Sequence, residues 1–244
     1  LTMEYYQSDE YRNAYNETSS PSDYIEMHDN EQPSRLDRIG ATFFRDKIVL
    51  DFGCGGGAFL DLVSGLSRET LGIEPFSGYH ESLIDRGHEM FSNMETAQSK
   101  YKDKVDSIVS FCVLEHVQNP QQYLKDACSL LKKSGKMYLE TDNIHNILMK
   151  FNINSFDEFF YRTAHLYYFE DKTLRKMAEQ AGFSDIRISF RHNYDMSNVM
   201  LWLRDNKPTG NGKLDFLSNG VDQNWIEFVE SSGLADLVCI EMTK

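Results

Sequence analysis

Asp51 stands at the end of a short apolar run, Ile48-Val49-Leu50, and is soon followed by the glycine loop Gly53-Cys54-Gly55-Gly56-Gly57. A glycine-rich turn from strand to helix lets backbone approach a ligand closely, and the N–H groups at the helix start draw negative charge. The loop alone is ambiguous, because Gly53-x-Gly55-x-x-Ala58 also meets the dinucleotide fingerprint. Asp51 separates the readings: a carboxylate there repels a pyrophosphate and attracts the ammonium of an amino-acid tail. Glu74, about twenty residues beyond the loop, is spaced to accept both hydroxyls of a ribose.

Histidines supply the second set of chemical groups. His165 lies in an aromatic stretch with Tyr161, Arg162, Tyr167 and Tyr168. An imidazole titrating near neutrality there is a candidate general base. The competing reading is a hydrogen-bonded histidine that anchors the stretch. His116 neighbours Glu115, a pair that serves equally well to fix a loop. His28, with Tyr24 and Arg35, can close over a ligand or lie on the surface. Cys54, Cys112, Cys128 and Cys239 form no C-x-x-C pair and no zinc spacing, which argues against a disulfide framework and suits a reducing cytoplasm.

The elements that must carry these groups alternate. Strands are expected at 48–50, 71–73, 89–91, 105–111 and 136–140, with helices at 58–66, 78–86 and after Asn119-Pro120, the last stopped by Gly135. That alternation predicts βαβ units and a parallel sheet. A helix over 171–181 stopped by Gly182, and strands 186–190 and 237–242, complete the pattern as an antiparallel closing pair. Residues 1–45 read as a helical lead broken by a turn-forming cluster at Thr18–Asp23, and 46–143 as the core. Segments 144–168 and 193–235 are aromatic-rich insertions over one sheet edge, all within one domain, 1–244.

Charge narrows the partners. The chain has 244 residues with 25 Lys and Arg against 38 Asp and Glu, a net charge of −13. Such a chain repels polyanions, so neither nucleic acid nor an anionic membrane surface is an expected partner. No apolar run reaches membrane-span length, and the acidic, aromatic start Leu1-Thr2-Met3-Glu4-Tyr5 does not read as a signal peptide. The expectation is a cytoplasmic protein acting on a small molecule, with homo-oligomerisation left open.

A ligand with a ribose, a cationic amino-acid tail and no pyrophosphate is S-adenosylmethionine. Val49–Gly57, Gly72-Ile73-Glu74-Pro75, Val105–Ser110 and Val113-Leu114-Glu115-His116-Val117 together resemble the class I S-adenosylmethionine-dependent methyltransferases. The resemblance covers 46–143 and implies a Rossmann-like, seven-stranded, mostly parallel α/β sheet with helices on both faces. It implies a cofactor set of Asp51, Gly53, Cys54, Gly55, Gly57, Phe59, Glu74 and Pro75, with Met94 and Glu95 at the adenine and Phe111, Cys112 and Val113 along the pocket. Lys133-Ser134-Gly135 and Asp142 depart from the family pattern and are expected to lie away from the pocket.

A second resemblance, on His165–Phe169, Leu174 and Ala181-Gly182-Phe183, is to the small-molecule subgroup of this family, and the tail, with Ser197-Asn198, Trp202-Leu203 and Lys207-Pro208, resembles members from bacterial surface-saccharide pathways. It implies O-methylation of a sugar or nucleotide-linked precursor of a surface polysaccharide. Tyr161, Arg162 and Tyr168 are then candidate acceptor contacts, and His165 or His116 candidate catalytic groups. Related ubiquinone-pathway enzymes hold a divalent cation near Glu115-His116. With Cys112 at the first acidic position, no metal is expected here. The alternatives are N- or C-methylation of a related small molecule, or a regulatory protein that binds the cofactor without turnover.

Overall fold

The computed structural model describes residues Tyr5, Ser8, 18–210, 212–217 and 219–244. Much of the expected first half of the lead, and positions 211 and 218 of the second insertion, lie outside the described residues. Seven strands form one sheet: β1 Ile48–Phe52, β2 Glu69–Ile73, β3 Glu89–Phe91, β4 Val105–Phe111, β5 Leu131–Asp142, β6 Ser184–Arg191 and β7 Leu237–Thr243. Their order is β3-β2-β1-β4-β5-β7-β6. The first five run parallel, and β7 is antiparallel to both β5 and β6, the expected closing pair.

Strand residues such as Leu50, Ile108, Val109 and Leu139 are completely buried, because helices cover both faces. One face packs α5 (Met94–Tyr101), α6 (Pro120–Leu130) and α8 (Asp171–Ala181) around Leu71, Leu124, Leu174 and Ile240. The other packs α3 (Ala58–Ser64) and α2 (Gln32–Ile39) around Phe44, Phe59 and Val109. Asn119 caps α6, its side-chain oxygen accepting from Gln122 N at 3.0 Å, with Pro120 in the first turn. Helix α4 (His80–Asp85) is shorter than expected, preceded by a 3-10 turn at Ser77–Tyr79.

Two local expectations are corrected, and one helix, α5, had not been expected. The cluster at Thr18–Asp23 is not a free turn: Ser20 caps α1 (Pro21–His28), accepting from Asp23 N. Gly135 does not stop α6, which ends at Leu130 while Leu131 enters β5 at once and pairs with Val105. Both leucines are fully buried, so sheet pairing outweighs another helical turn. Gly135 instead follows a register break at which Ser134 adopts φ +64°. Helix α5 was signalled by Asn93, whose Oδ1 accepts from Thr96 N at 2.9 Å.

The insertions fold into α7 (Asn154–Phe160), α9 (Met196–Asp205) and α10 (Asn219–Ser231). Phe156, Phe160, Val199, Trp202 and Val229 bury against one another as a separate apolar cluster. Among the described residues, no helix is long and apolar enough to cross a membrane.

Candidate active site

A cavity of about 960 Å³ opens beyond the carboxyl ends of β1, β2, β4 and β5, and it has two unlike ends. Open α/β sheets place ligands at this edge. At one end the chain leaves β1 through Gly53 and Gly55, at φ +81° and +51°. Tyr24 of α1 lies so close over this loop that a Cβ at Gly55 would collide with its ring. Glu74, just after β2, accepts Gly55 N at 3.1 Å and Phe76 N at 2.8 Å, so its carboxylate is fixed against the loop.

Asp51 sits below the loop, 3% exposed, with Oδ1 lacking a hydrogen-bond partner. Burial pushes its carboxyl up to about 7; Arg35 opposes that rise and Glu74 adds to it. Arg35 comes from α2, with its guanidinium 4.3 Å from the Phe111 ring centre and Nε 3.1 Å from the fully buried Glu140. Glu140 also accepts from Arg191 Nη1 at 2.9 Å. Arg35 and Arg191 thus share the Glu140 carboxylate, and Glu31 Oε2 lies 3.6 Å from Arg35 Nη1.

The other end holds the histidines. His165 Nδ1 stands 2.8 Å from Asp142 Oδ2, and the His165 and His116 rings are 4.8 Å apart, edge to face. Burial and the neighbouring His165 push His116 down to about 4, so it is neutral at ordinary pH. Its Nδ1 lies 3.0 Å from Ala164 O. Glu115 is buried, accepts from Thr141 Oγ1 at 2.7 Å, and is pushed up by burial and by Asp142. Its backbone carbonyl accepts Leu166 N at 2.8 Å, which ties the first insertion to the loop after β4. Phe156, Phe159, Phe160 and Trp202 form the apolar wall beyond.

Most expected positions meet here. Asp51, Gly53, Cys54, Gly55, Phe59, Glu74, Pro75, Met94, Phe111, Cys112, Val113, Arg162, His116 and His165 all line the cavity. Four expected contacts do not. Gly57 caps α3, and the space a Cβ would take is filled by Leu83. Glu95 is exposed on the first turn of α5. Tyr161 is half exposed, and Tyr168 is a brace, donating to Phe160 O at 2.6 Å and accepting from Arg162 N at 2.9 Å. Asp142, expected to lie away from the cofactor pocket, lines the other end of the cavity with Oδ2 2.8 Å from His165 Nδ1. Sequence reasoning also missed His192, Tyr194 and Asp236, which line it from beyond residue 190.

The fold implies S-adenosylmethionine, and the residues fit it. Asp51 keeps a buried carboxylate oxygen without a hydrogen-bond partner, Glu74 is fixed against the glycine loop, and a Cβ at Gly55 would meet the Tyr24 ring, a set that suits an ammonium and a ribose. A divalent cation is also compatible with the donor set. Glu115, His116 and His165 each offer a ligand atom, all within 4.8 Å of one another, so the carboxylate absent at Cys112 does not leave the set short.

Comparison with known proteins agrees with this geometry. The methyltransferase-domain family matches residues 25–188, more than half the chain, and the chain belongs to that family. A ubiquinone biosynthesis O-methyltransferase from Yersinia enterocolitica is 31% identical over 125 residues, 46% of this chain and 50% of the relative. Another from Aeromonas salmonicida is 30% identical over 122 residues, 46% of this chain and 50% of the relative. The chain thus spans about half the length of these curated relatives. Among solved structures, a SAM-dependent methyltransferase from Archaeoglobus fulgidus aligns with TM-score 0.62 at 20% identity, covering 96% of this chain and 98% of its own. A "possible histamine N-methyltransferase" from Thermotoga maritima aligns with TM-score 0.62 at 18% identity, covering 98% and 99%. These structural likenesses show the shared fold.

Proposed function

We propose that this protein transfers the methyl group of S-adenosylmethionine to a hydroxyl oxygen of a small molecule. The carrying observation is the buried Asp51 carboxylate with its unpartnered oxygen, set beside Glu74 in the same cavity as the Asp142–His165 pair. S-adenosylmethionine supplies an electrophilic methyl on a sulfonium and a neutral thioether as leaving group. Asp51 holds the ammonium of its amino-acid tail, Arg35 the tail carboxylate and Glu74 the ribose.

The protein's remaining work is to orient the acceptor and take its proton. His165 accepts that proton as the oxygen attacks, and Asp142 at 2.8 Å stabilises the imidazolium that forms. Neutral, buried His116 flanks it without competing charge. Phe156, Phe159 and Trp202 give that end an apolar wall against which the C–H face of a sugar ring can lie.

The acceptor we favour is a sugar precursor of a surface polysaccharide, in its uncharged form. Glu31, Asp51, Glu74, Glu115, Asp126, Asp142 and Asp236 line the cavity, against Arg162 and Arg35, the latter taken up by the tail carboxylate of the cofactor. That balance disfavours the diphosphate of a nucleotide-linked sugar. The ubiquinone-pathway relatives support O-methylation, and the four free cysteines support a reducing cytoplasm. A second reading rests on the Glu115, His116 and His165 cluster: with a divalent cation held there, Lewis-acid activation of the hydroxyl would replace proton removal by His165.

Calorimetry with S-adenosylhomocysteine tests the cofactor half: the wild type binds, and Glu74→Ala binds about a hundredfold more weakly. Wild-type protein that fails to bind sinks the proposal. Chelation then separates the two acceptor-side readings, since a proton relay survives it and a cation-assisted reaction is lost until the ion is restored.

A further inference from the structure

His192 follows the last residue of β6 and Asp236 precedes the first residue of β7, and these strands pair with Arg191 opposite Leu237. The pairing brings imidazole and carboxylate together. His192 Nδ1 lies 3.0 Å from Asp236 Oδ1, which also accepts Asn193 N at 3.0 Å, while Asn193 Nδ2 donates to Oδ2 at 2.8 Å. A neutral ring that donates from Nδ1 carries its lone pair on Nε2.

That Nε2 is buried and meets no hydrogen-bond partner among the described residues, in a side chain only 3% exposed. Leaving such a nitrogen unpaired destabilises the fold, and folded proteins keep few of them. The Trp225 ring packs edge-on to the imidazole with centres 6.3 Å apart, and its Nε1 is likewise buried without a partner. One lone pair and one N–H therefore stand unpaired on touching rings, and His192 and Asp236 belong to the cavity wall.

The two unpaired groups select among ligands. A hydroxyl answers both, donating to Nε2 and accepting from the indole. A phosphate or carboxylate oxygen has no proton for Nε2, and an ammonium has no lone pair for the indole. This end of the cavity lies along the same sheet edge as the first carboxylate–histidine pair: Asn143 N donates to Asp236 O at 2.8 Å, one residue beyond Asp142.

We infer that the acceptor is a neutral compound with at least two hydroxyl groups, one presented to Asp142–His165 and another seated between His192 and Trp225. The inference rests on the hydroxyl-acceptor reading above and narrows it to polyols, sugars and cyclitols. His192 is a positioning residue in this scheme: it holds the ring from the far side and fixes which hydroxyl reaches His165. Asp236 and Asn193 in turn hold the imidazole.

Long-range proton–nitrogen NMR of the full chain with S-adenosylhomocysteine bound reads the His192 ring directly. The probes are a pool of D-glucose, D-galactose, L-rhamnose and myo-inositol, with inorganic pyrophosphate as the anionic comparison. The expected result is a protonated Nδ1, a bare Nε2, and a shift of Nε2 with the pool but not with pyrophosphate. A protonated resting Nε2, no response to the pool, or a response to pyrophosphate alone overturns the proposal.

Release of S-adenosylhomocysteine from S-adenosylmethionine with the same pool separates this site from the transfer reaction. His192→Phe and Trp225→Phe each raise KM about tenfold, the worth of one hydrogen bond, with kcat nearly unchanged. His165→Ala lowers kcat instead. Turnover with unaltered KM in both variants sinks the His192 site and leaves the transfer reading standing. An Nε2 shift without any turnover does the reverse.

Discussion

The two ends of the cavity are built by different means. The cofactor end is made of short, contiguous pieces at strand ends: Asp51 with the loop that follows it, Glu74 just after β2, and Phe111–Val113 just after β4. The acceptor end draws Glu115, Asp142, His165, His192 and Asp236 from positions spread over more than a hundred residues. Its walls are helices that bury a separate apolar cluster, away from the sheet core. A cofactor of constant shape can be met by local backbone geometry. An acceptor is met by side chains that only long-range packing brings together.

Breaking the acceptor end alone gives the largest expected effect. His165→Ala lowers kcat by ~10²–10⁴, the usual worth of a general base, with S-adenosylhomocysteine affinity unchanged in calorimetry. A parallel loss of cofactor binding would show that the two ends are not separable. Next comes Glu74→Ala, which removes charged hydrogen bonds worth ~1.5–3 kcal/mol each and weakens S-adenosylhomocysteine by about a hundredfold. Because Glu74 also holds Gly55 N and Phe76 N, Glu74→Gln, which keeps part of the geometry, is expected to lose less.

The pH response of the cofactor end sharpens the comparison. With its carboxyl at about 7, Asp51 is protonated below neutrality in the unliganded protein, and an ammonium binds only the ionised form. Affinity for S-adenosylhomocysteine is therefore full above pH 7 and falls by up to ~10-fold per unit below it, a dependence that Asp51→Asn flattens. Stability of the unliganded protein runs the other way. A carboxyl raised in the folded state makes folding less favourable as pH climbs from about 4 to 7, so melting of the unliganded wild type, compared with Asp51→Asn, shows this group's contribution declining over that window. The smallest effect is at Asn119, where loss of the cap to α6 costs ~1 kcal/mol in chemical unfolding and leaves KM for the acceptor unchanged.

Legibility in the sequence follows the same division. The glycine loop, Asp51 and Glu74 could be read because each does its work within a few residues of a strand end, where a residue's type and spacing nearly determine its position. Gly57 and Glu95 were misplaced by the same local logic, since neighbouring loop and helix positions face opposite ways: one meets Leu83 and the other solvent. Gly135 was misread as a helix stop because the burial of Leu130 and Leu131 is a property of the sheet. Asp142 was set aside as an unremarkable departure, although β5 ends there, against the first insertion.

By itself the sequence determined the order of the seven strands, the antiparallel closure by β6 and β7, and the candidate cofactor residues near β1 and β2. Each depends on hydrophobic period, a cap or a glycine, all of which act over a few residues. Only the tertiary structure decided that Asp142 meets His165 and that His192 meets Asp236. The second pair depends on β7 lying beside β6, and the first on the insertion folding back over the ends of β4 and β5, where Leu166 N donates to Glu115 O and Ile144 N to Phe169 O. Strand adjacency is set by burial across the whole sheet, so no local spacing records it.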